Sequence, residues 1–195
     1  APISVRYPLV ELATALLFIA VTIQVTHLHL TAALPAYLFF AAVGIALTAI
    51  DLDVLRLPNA IVYPSYLVLG ALLTFAALVQ GAPAPLIRAA IGAAALFTFY
   101  FALAMAYPLG MGFGDVKLAG VLGGALGFIS YSALIIGAFA AFVIGACMAT
   151  ALLLSHSGTR KSAIPFGPFM VAGALVAFFA SAPLAHVYSH LVHQA

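Results

Sequence analysis

The sequence predicts an all-α fold, a polytopic membrane bundle of about seven helices, one of them short and Gly-rich. Three observations lead there. Of the 195 residues 67% are hydrophobic and only 5% charged, with a mean hydropathy of +1.28, whereas a soluble domain carries about 25% charged residues. The apolar residues fall in runs near the length of about 20 that a helix needs to cross the hydrocarbon of a bilayer. Pro, Gly and charged positions divide these runs, and in lipid each run must pair its own backbone N–H and C=O groups, which a helix does. Ten Lys, Arg, Asp and Glu side chains cannot cover the wet surface of a soluble globule, so a soluble enzyme is excluded.

The first span, Leu9 to Thr26, follows Arg6 and lacks a small-residue cleavage site, so it reads as an anchored helix rather than a signal peptide. The second runs from Ala32 to Ile50, the third from Ala60 to Val79 and the fourth from Ile87 to Tyr107. The fifth, Asp115 to Phe128, has fourteen residues and covers only about 21 Å, which places it inside the bundle. Its glycines form two overlapping GxxxG pairs, Gly120 with Gly124 and Gly123 with Gly127, which let neighbouring helices approach closely. A Gly-rich helix packing for its own sake explains the same spacing. The sixth span is Tyr131 to Leu154 and the seventh Pro168 to Leu184. With no internal repeat, low-complexity tract or flexible linker, residues 1–195 read as one membrane-embedded domain.

Seven spans alternate sides, and counting charges orients them. Arg6, Arg56, Lys117, Arg160 and Lys161 fall on one side and only Arg88 near the other, so the first side is cytoplasmic by the positive-inside rule. All four carboxylates, Glu11, Asp51, Asp53 and Asp115, lie at that same end. A net charge of +2 with no basic run beyond Arg160-Lys161 leaves no footprint for nucleic acid. Cys147 stands alone in an apolar run, where it makes neither an internal disulfide nor a thiolate zinc site.

Carboxylates at a membrane boundary are rare enough that each is a candidate for function, with an ion pair or a solvated helix end as the plain alternative. Asp53 fits the plain alternative, since its loop offers water and Arg56. Asp51 follows directly on Ala49-Ile50, at the apolar end of the second span. Asp115 closes Gly112-Phe-Gly114-Asp, where glycines permit a substrate strand to approach the main chain, or serve only as a hinge. Two carboxylates on one membrane face can divide hydrolysis, one taking a proton from water and one giving a proton to the leaving amine. Asp51 sits near a helix C-terminus, which disfavours an anion, and Asp115 near an N-terminus, which favours one. The expectation is Asp115 as base and Asp51 as resting acid.

Four blocks then carry a family resemblance: Arg6-Tyr-Pro-Leu-Val-Glu11; Ile50-Asp-Leu-Asp53 with Leu57-Pro-Asn59; Gly110-Met-Gly-Phe-Gly-Asp-Val-Lys-Leu-Ala119; and Ile164-Pro-Phe-Gly-Pro-Phe169. In this order they closely resemble the type IV prepilin peptidases, bifunctional leader peptidases and N-methyltransferases of bacterial pilus and type II secretion systems. The resemblance implies a GxGD-type aspartic peptidase with Asp51, seven before Pro58, and Asp115 as catalytic residues. It implies cleavage of prepilin or pseudopilin precursors after a Gly and before a hydrophobic residue, usually Phe, at the cytoplasmic face of the bacterial inner membrane. No metal or other cofactor is implied for proteolysis; S-adenosylmethionine is implied if the methyltransferase activity is retained. Gly112, Gly114, Lys117, Pro165, Gly167, Arg6 and Glu11 are the supporting or substrate-binding candidates. The family usually carries one more helix and a zinc-binding domain with paired CxxC motifs upstream. Neither is in this sequence, which is therefore read as shortened, processed or naturally lacking that domain, and this puts methylation more in question than proteolysis.

Plainer readings stand beside these. Arg6 and Glu11 also suit an interfacial anchor and a helix start. Lys117, two residues from Asp115, does not share its helical face and is read as snorkelling to lipid phosphates. Pro165 and Pro168 mark either a helix start or a loop bordering the cleft. His186, His190 and His193 share one helical face but have no carboxylate partner, so an interfacial tail is preferred to a metal site. Ser155, His156 and Ser157 lack an orienting third group. The rival functions are a presenilin-like intramembrane GxGD protease, a proton-coupled carrier, which would need charge nearer mid-membrane, and a non-catalytic scaffold.

Overall fold

A computed structural model of the chain describes residues 6–107, 111–155 and 165–193, those at 6, 7, 9, 153 and 181–193 by backbone alone. Seven helices and no strand are found among the described residues: α1 (Arg6–His27), α2 (Leu34–Val54), α3 (Asn59–Gln80), α4 (Ala84–Ala106), α5 (Phe113–Ile129), α6 (Tyr131–Leu154) and α7 (Gly167–His193). A 3-10 turn at Thr31–Ala33 leads into α2. Helices α1, α2, α3, α4 and α6 are long and apolar enough to cross a membrane. The chain is a polytopic membrane bundle.

Local chemistry sets the helix ends. Pro35 occupies the first turn of α2, where its missing N–H has no partner to lose. Pro58 precedes α3, and Gly81 closes it in the left-handed conformation at φ 61°, which glycine adopts without steric penalty. Pro83 and Pro85 start α4 three residues earlier than the expected Ile87. Helix α2 runs four residues past the expected Ile50, so Asp51 and Asp53 belong to its last turn rather than to a loop. Two positions apart on a helix they face opposite ways: Asp51 is buried and Asp53 exposed. Helix α7 continues beyond Leu184 to His193. The three tail histidines therefore sit on a continuous helix whose side chains are outside the description. Residues 156–164, with Arg160, Lys161 and the Ser-His-Ser run's His156 and Ser157, fall outside the described residues altogether.

The bundle is built around α5. Every residue from Asp115 to Phe128 is buried except Lys117 and Gly124, as expected for a short helix enclosed by others. Its closest neighbour is α4, and glycine makes that closeness possible. A Cβ on Gly92 of α4 would lie 2.5 Å from the carbonyl oxygen of Gly123, and one on Gly127 would lie 2.6 Å from that of Arg88. The Gly123–Gly127 pair thus serves backbone-to-backbone contact. Gly120 instead faces Tyr66 of α3, and Gly124 makes only an ordinary contact with Ala93. A similar seam joins α6 to α7, where a Cβ on Gly173 would lie 2.5 Å from the backbone nitrogen of Ala141. Outside, Leu12, Leu16, Ile19 and Ile23 of α1 form an exposed apolar stripe at helical spacing, suited to lipid.

Arg88 is the single cation expected on the side opposite the carboxylates, and its position explains why it is tolerated there. Its Nη2 donates to the carbonyls of Phe128 at 2.9 Å and Ile129 at 3.1 Å, and its Nε to that of Gly127 at 3.4 Å. It therefore satisfies the unpaired carbonyls at the C-terminus of α5 and meets the negative end of that helix's dipole. Arg88→Met is expected to remove charge-assisted bonds and lower stability by about 2 kcal/mol. The thermal midpoint in detergent measures this; Arg88→Lys should recover part of the loss, and an unchanged midpoint would mean the cap contributes nothing.

Candidate functional site

Four helix ends meet at the end of the bundle opposite Arg88: the C-terminus of α2 and the N-termini of α3, α5 and α7. Asp51 comes from α2 and Asp115 from the first turn of α5, and they are 5% and 8% exposed. With the buried Gln24 and Ser65 they are the polar exceptions in the described interior. Both line one cavity of about 260 Å³, with Leu55, Arg56, Leu57, Gly112, Phe113 and Gly114. Two residues 64 positions apart in sequence are thus brought to one cavity with room for several waters.

Each carboxylate is held by a backbone feature the sequence supplies. The last turn of α2 is closed by Leu55, whose φ is 53° and whose N–H donates to the carbonyl of Asp51 at 2.9 Å. A leucine in the left-handed region is uncommon and carries strain, and here it terminates the helix one turn past Asp51. The Asp51 carboxylate accepts from the N–H of Gly167 at 3.2 Å, a buried contact between residues 116 apart. Gly167 is the first residue of α7, so a helix N-terminus points at Asp51. Helix α5 starts at Phe113, with extended Gly112 ahead of it and the N–H of Asp115 donating to the Gly112 carbonyl at 3.1 Å.

This geometry revises the division of roles drawn from helix dipoles. That argument set Asp51 at an unfavourable C-terminus and Asp115 at a favourable N-terminus. The N-terminus of α7 gives Asp51 its own donor, so both carboxylates face a helix start and the dipoles no longer separate them.

Glycine is required by space here, not by backbone conformation. A Cβ on Gly167 would lie 2.7 Å from Oδ2 of Asp51, and one on Gly114 would lie 3.0 Å from Cβ of Leu57. A Cβ on Gly112 would meet Oδ2 of Asp115 at an ordinary 3.5 Å. Pro165 lies in the segment leading to Gly167 and Pro168 takes the first turn of α7, which fits a helix start there; neither proline lines the Asp51–Asp115 cavity.

Lys117, read from the sequence as snorkelling to lipid phosphates, has partners within the protein. Its Nζ donates to Oδ1 of Asn59 at 2.9 Å and stands 4.9 Å from the ring centre of Tyr63 and 5.0 Å from that of Phe113. The amide and two aromatic faces at the start of α3 and α5 hold the cation at the protein surface. Glu11 is exposed on α1 and lines none of the cavities described here, and the side chain of Arg6 is outside the description. The structure therefore gathers Asp51, Asp115, Gly112, Gly114 and Gly167, sets Lys117 beside them, and leaves Glu11 apart. Leu55, Arg56, Leu57 and Phe113 also line the site. Phe113 falls within the Gly110–Ala119 block, Leu57 opens the Leu57-Pro-Asn59 stretch and Arg56 is the cation set beside Asp53, whereas Leu55 has no sequence signal of its own.

The model of the type IV leader peptidase family matches residues 38–154, a stretch that includes both aspartates. Among curated proteins, the chain is 40% identical over 182 residues to a prepilin leader peptidase/N-methyltransferase of Aeromonas hydrophila, covering 91% of this chain and 59% of that one. It is 32% identical over 177 residues to the protein of the same name from Pseudomonas putida, covering 90% and 59%. With that from Burkholderia pseudomallei (strain 1026b) it shares 33% over 192 residues, covering 93% and 57%. The chain thus spans about three fifths of the length of these relatives. No solved structure matches it.

Proposed function

The chain belongs to the type IV leader peptidase family, and from that premise we propose that it removes the leader of prepilin or pseudopilin precursors, using Asp51 and Asp115 as an aspartate pair. The observation that carries the reading is the convergence of these two buried carboxylates, from α2 and α5, on one cavity of about 260 Å³. Two carboxylates in one such space interact and titrate as a unit, sharing a proton over part of the pH range. The ionised member takes a proton from a water molecule, whose oxygen adds to the scissile carbonyl carbon. The protonated member supports the developing charge and a proton passes to the leaving nitrogen as the C–N bond breaks. Gly114 packs against the Leu57 side chain, and Gly167 supports Asp51 through its N–H.

On this reading cleavage occurs at the cytoplasmic face of the bacterial inner membrane. The support is the charge distribution, since the end holding the two aspartates also holds Arg56 and Lys117, and among the described Lys and Arg side chains only Arg88 lies at the other.

S-adenosylmethionine needs a carboxylate for its ribose and donors for its own carboxylate. Glu11 is exposed and lines none of the cavities described here, so it does not contribute to such a site in them, and the peptidase step needs none of it. The test is purified protein in detergent with a synthetic precursor containing a Gly-Phe junction, read by product mass. Loss of the leader mass supports the peptidase, and an added methyl on the new N-terminus would supply the second activity. Intact precursor, with a full-length relative cleaving it in parallel, would sink the reading for this chain.

A further inference from the structure

Helices α3 and α4 are consecutive and joined by only three residues, Gly81 to Pro83, yet they scarcely touch. A trough lies between them, with α5 as its floor. At the aspartate end it is a cavity of about 740 Å³, continued by a second of about 250 Å³ towards the Gly81 turn, and the two share Tyr66, Ala90 and Ala93.

We propose that this trough receives the apolar helix that follows the scissile bond of the substrate; the proposal rests on the peptidase reading and names where the substrate's membrane-embedded part docks. Continuity is the first argument. Phe113 lines both the trough and the Asp51–Asp115 cavity, so a helix lying in the trough delivers the chain preceding it to the carboxylates. Width is the second. The walls and floor present Ala90, Ala93, Ala94 and Gly124, small residues against which a helix backbone can lie closely, and a Cβ on Gly70 would meet nothing within 4 Å. Charge is the third. Lys117 is the only charged residue lining either cavity, it stands at the aspartate end, and no carboxylate pairs with it among the described residues. An occupant must be uncharged along the trough, and at its mouth it fits a neutral or acidic side chain better than a basic one.

The experiment uses the full chain and two synthetic substrates with the same leader and Gly-Phe junction. One continues into an apolar helix of about 20 residues and the other stops shortly after the Phe. Ala94→Phe and Gly70→Leu fill the trough; Ala71→Phe, exposed and lining neither cavity, is the control. The expected result is a KM for the helical substrate raised about tenfold by the two filling variants, with the short peptide and the control unaffected. An unchanged KM, or an equal loss on both substrates, overturns the proposal.

A second arm needs no cleavage. The Asp51→Asn, Asp115→Asn protein in phosphatidylcholine vesicles is mixed with the apolar helix alone, carrying a photoreactive diazirine. Label on trough-lining residues of α3 and α4 that Ala94→Phe suppresses supports the trough. Label spread over the outer faces of α1 and α6, or indifferent to Ala94→Phe, means that lipid fills it and overturns the proposal. A wild type that cleaves neither substrate would sink the peptidase reading, and the label would still decide the trough.

Discussion

Asp51→Asn and Asp115→Asn are each expected to lower the rate of leader cleavage by about 10²–10⁴-fold, the range that a positioned general acid or base contributes. The two single variants should fall to a similar level, and the double variant little further, because residues acting as one unit lose their joint effect when either is removed. The substitution is chosen to spare the fold. Asparagine has nearly the shape of aspartate, and its amide oxygen can still accept from the N–H of Gly167. Each variant should therefore keep the thermal midpoint of the wild type to within a few degrees while losing activity. Cleavage within tenfold of wild type by either variant, on folded protein, would remove that residue from the mechanism. A scaffold or a carrier would give no cleavage by the wild type either, so the same measurement separates the classes.

Much of this arrangement is legible in the sequence, and the limits of legibility have physical causes. The composition and the lengths of the apolar runs determine an all-helical membrane bundle because lipid leaves the backbone few alternatives. The shortness of α5 and its repeated glycines point correctly to a helix enclosed by others, since a run too short to span and too apolar for water has few places to go. Helix ends are less legible. Helix α2 runs past the expected Ile50 to Val54 because Leu55 accepts a left-handed conformation, and single-residue propensity does not predict that. Side-chain partners across the bundle are least legible. Asn59 and Lys117 lie 58 positions apart, and spacing on a single helix shows only that Lys117 turns away from Asp115. The dipole argument for the carboxylates failed for the same reason: it considered the helices bearing Asp51 and Asp115, while α7, which approaches from another part of the chain, supplies the donor to Asp51.

Gly167→Ala is expected to reduce cleavage by about 10²-fold, the second largest effect foreseen, although it adds a single methyl group. That methyl would lie 2.7 Å from Oδ2 of Asp51 and 3.4 Å from Cδ2 of Leu57. The carboxylate or the start of α7 must therefore shift, and a displacement near 1 Å at a reacting group can cost about 10²-fold. Gly167 is held by packing as well as by its hydrogen bond. The preceding Phe166 has ring centres of Phe142 at 5.3 Å and Phe169 at 6.2 Å around it, which limits how far the helix start can retreat. The glycines before Asp115 give the contrast. Gly112→Ala places its methyl at an ordinary 3.5 Å from Oδ2 of Asp115, and Gly114→Ala at 3.0 Å from Cβ of Leu57, a tighter contact that a shift of a few tenths of an ångström in the neighbouring backbone must relieve. The expected order of loss is Gly167→Ala greatest, Gly114→Ala intermediate and Gly112→Ala least, measured as kcat on one precursor with folding checked by thermal midpoint. If Gly112→Ala proved the most damaging, glycine there would serve the approach of the substrate main chain, and crowding of Asp51 would not be what limits the site.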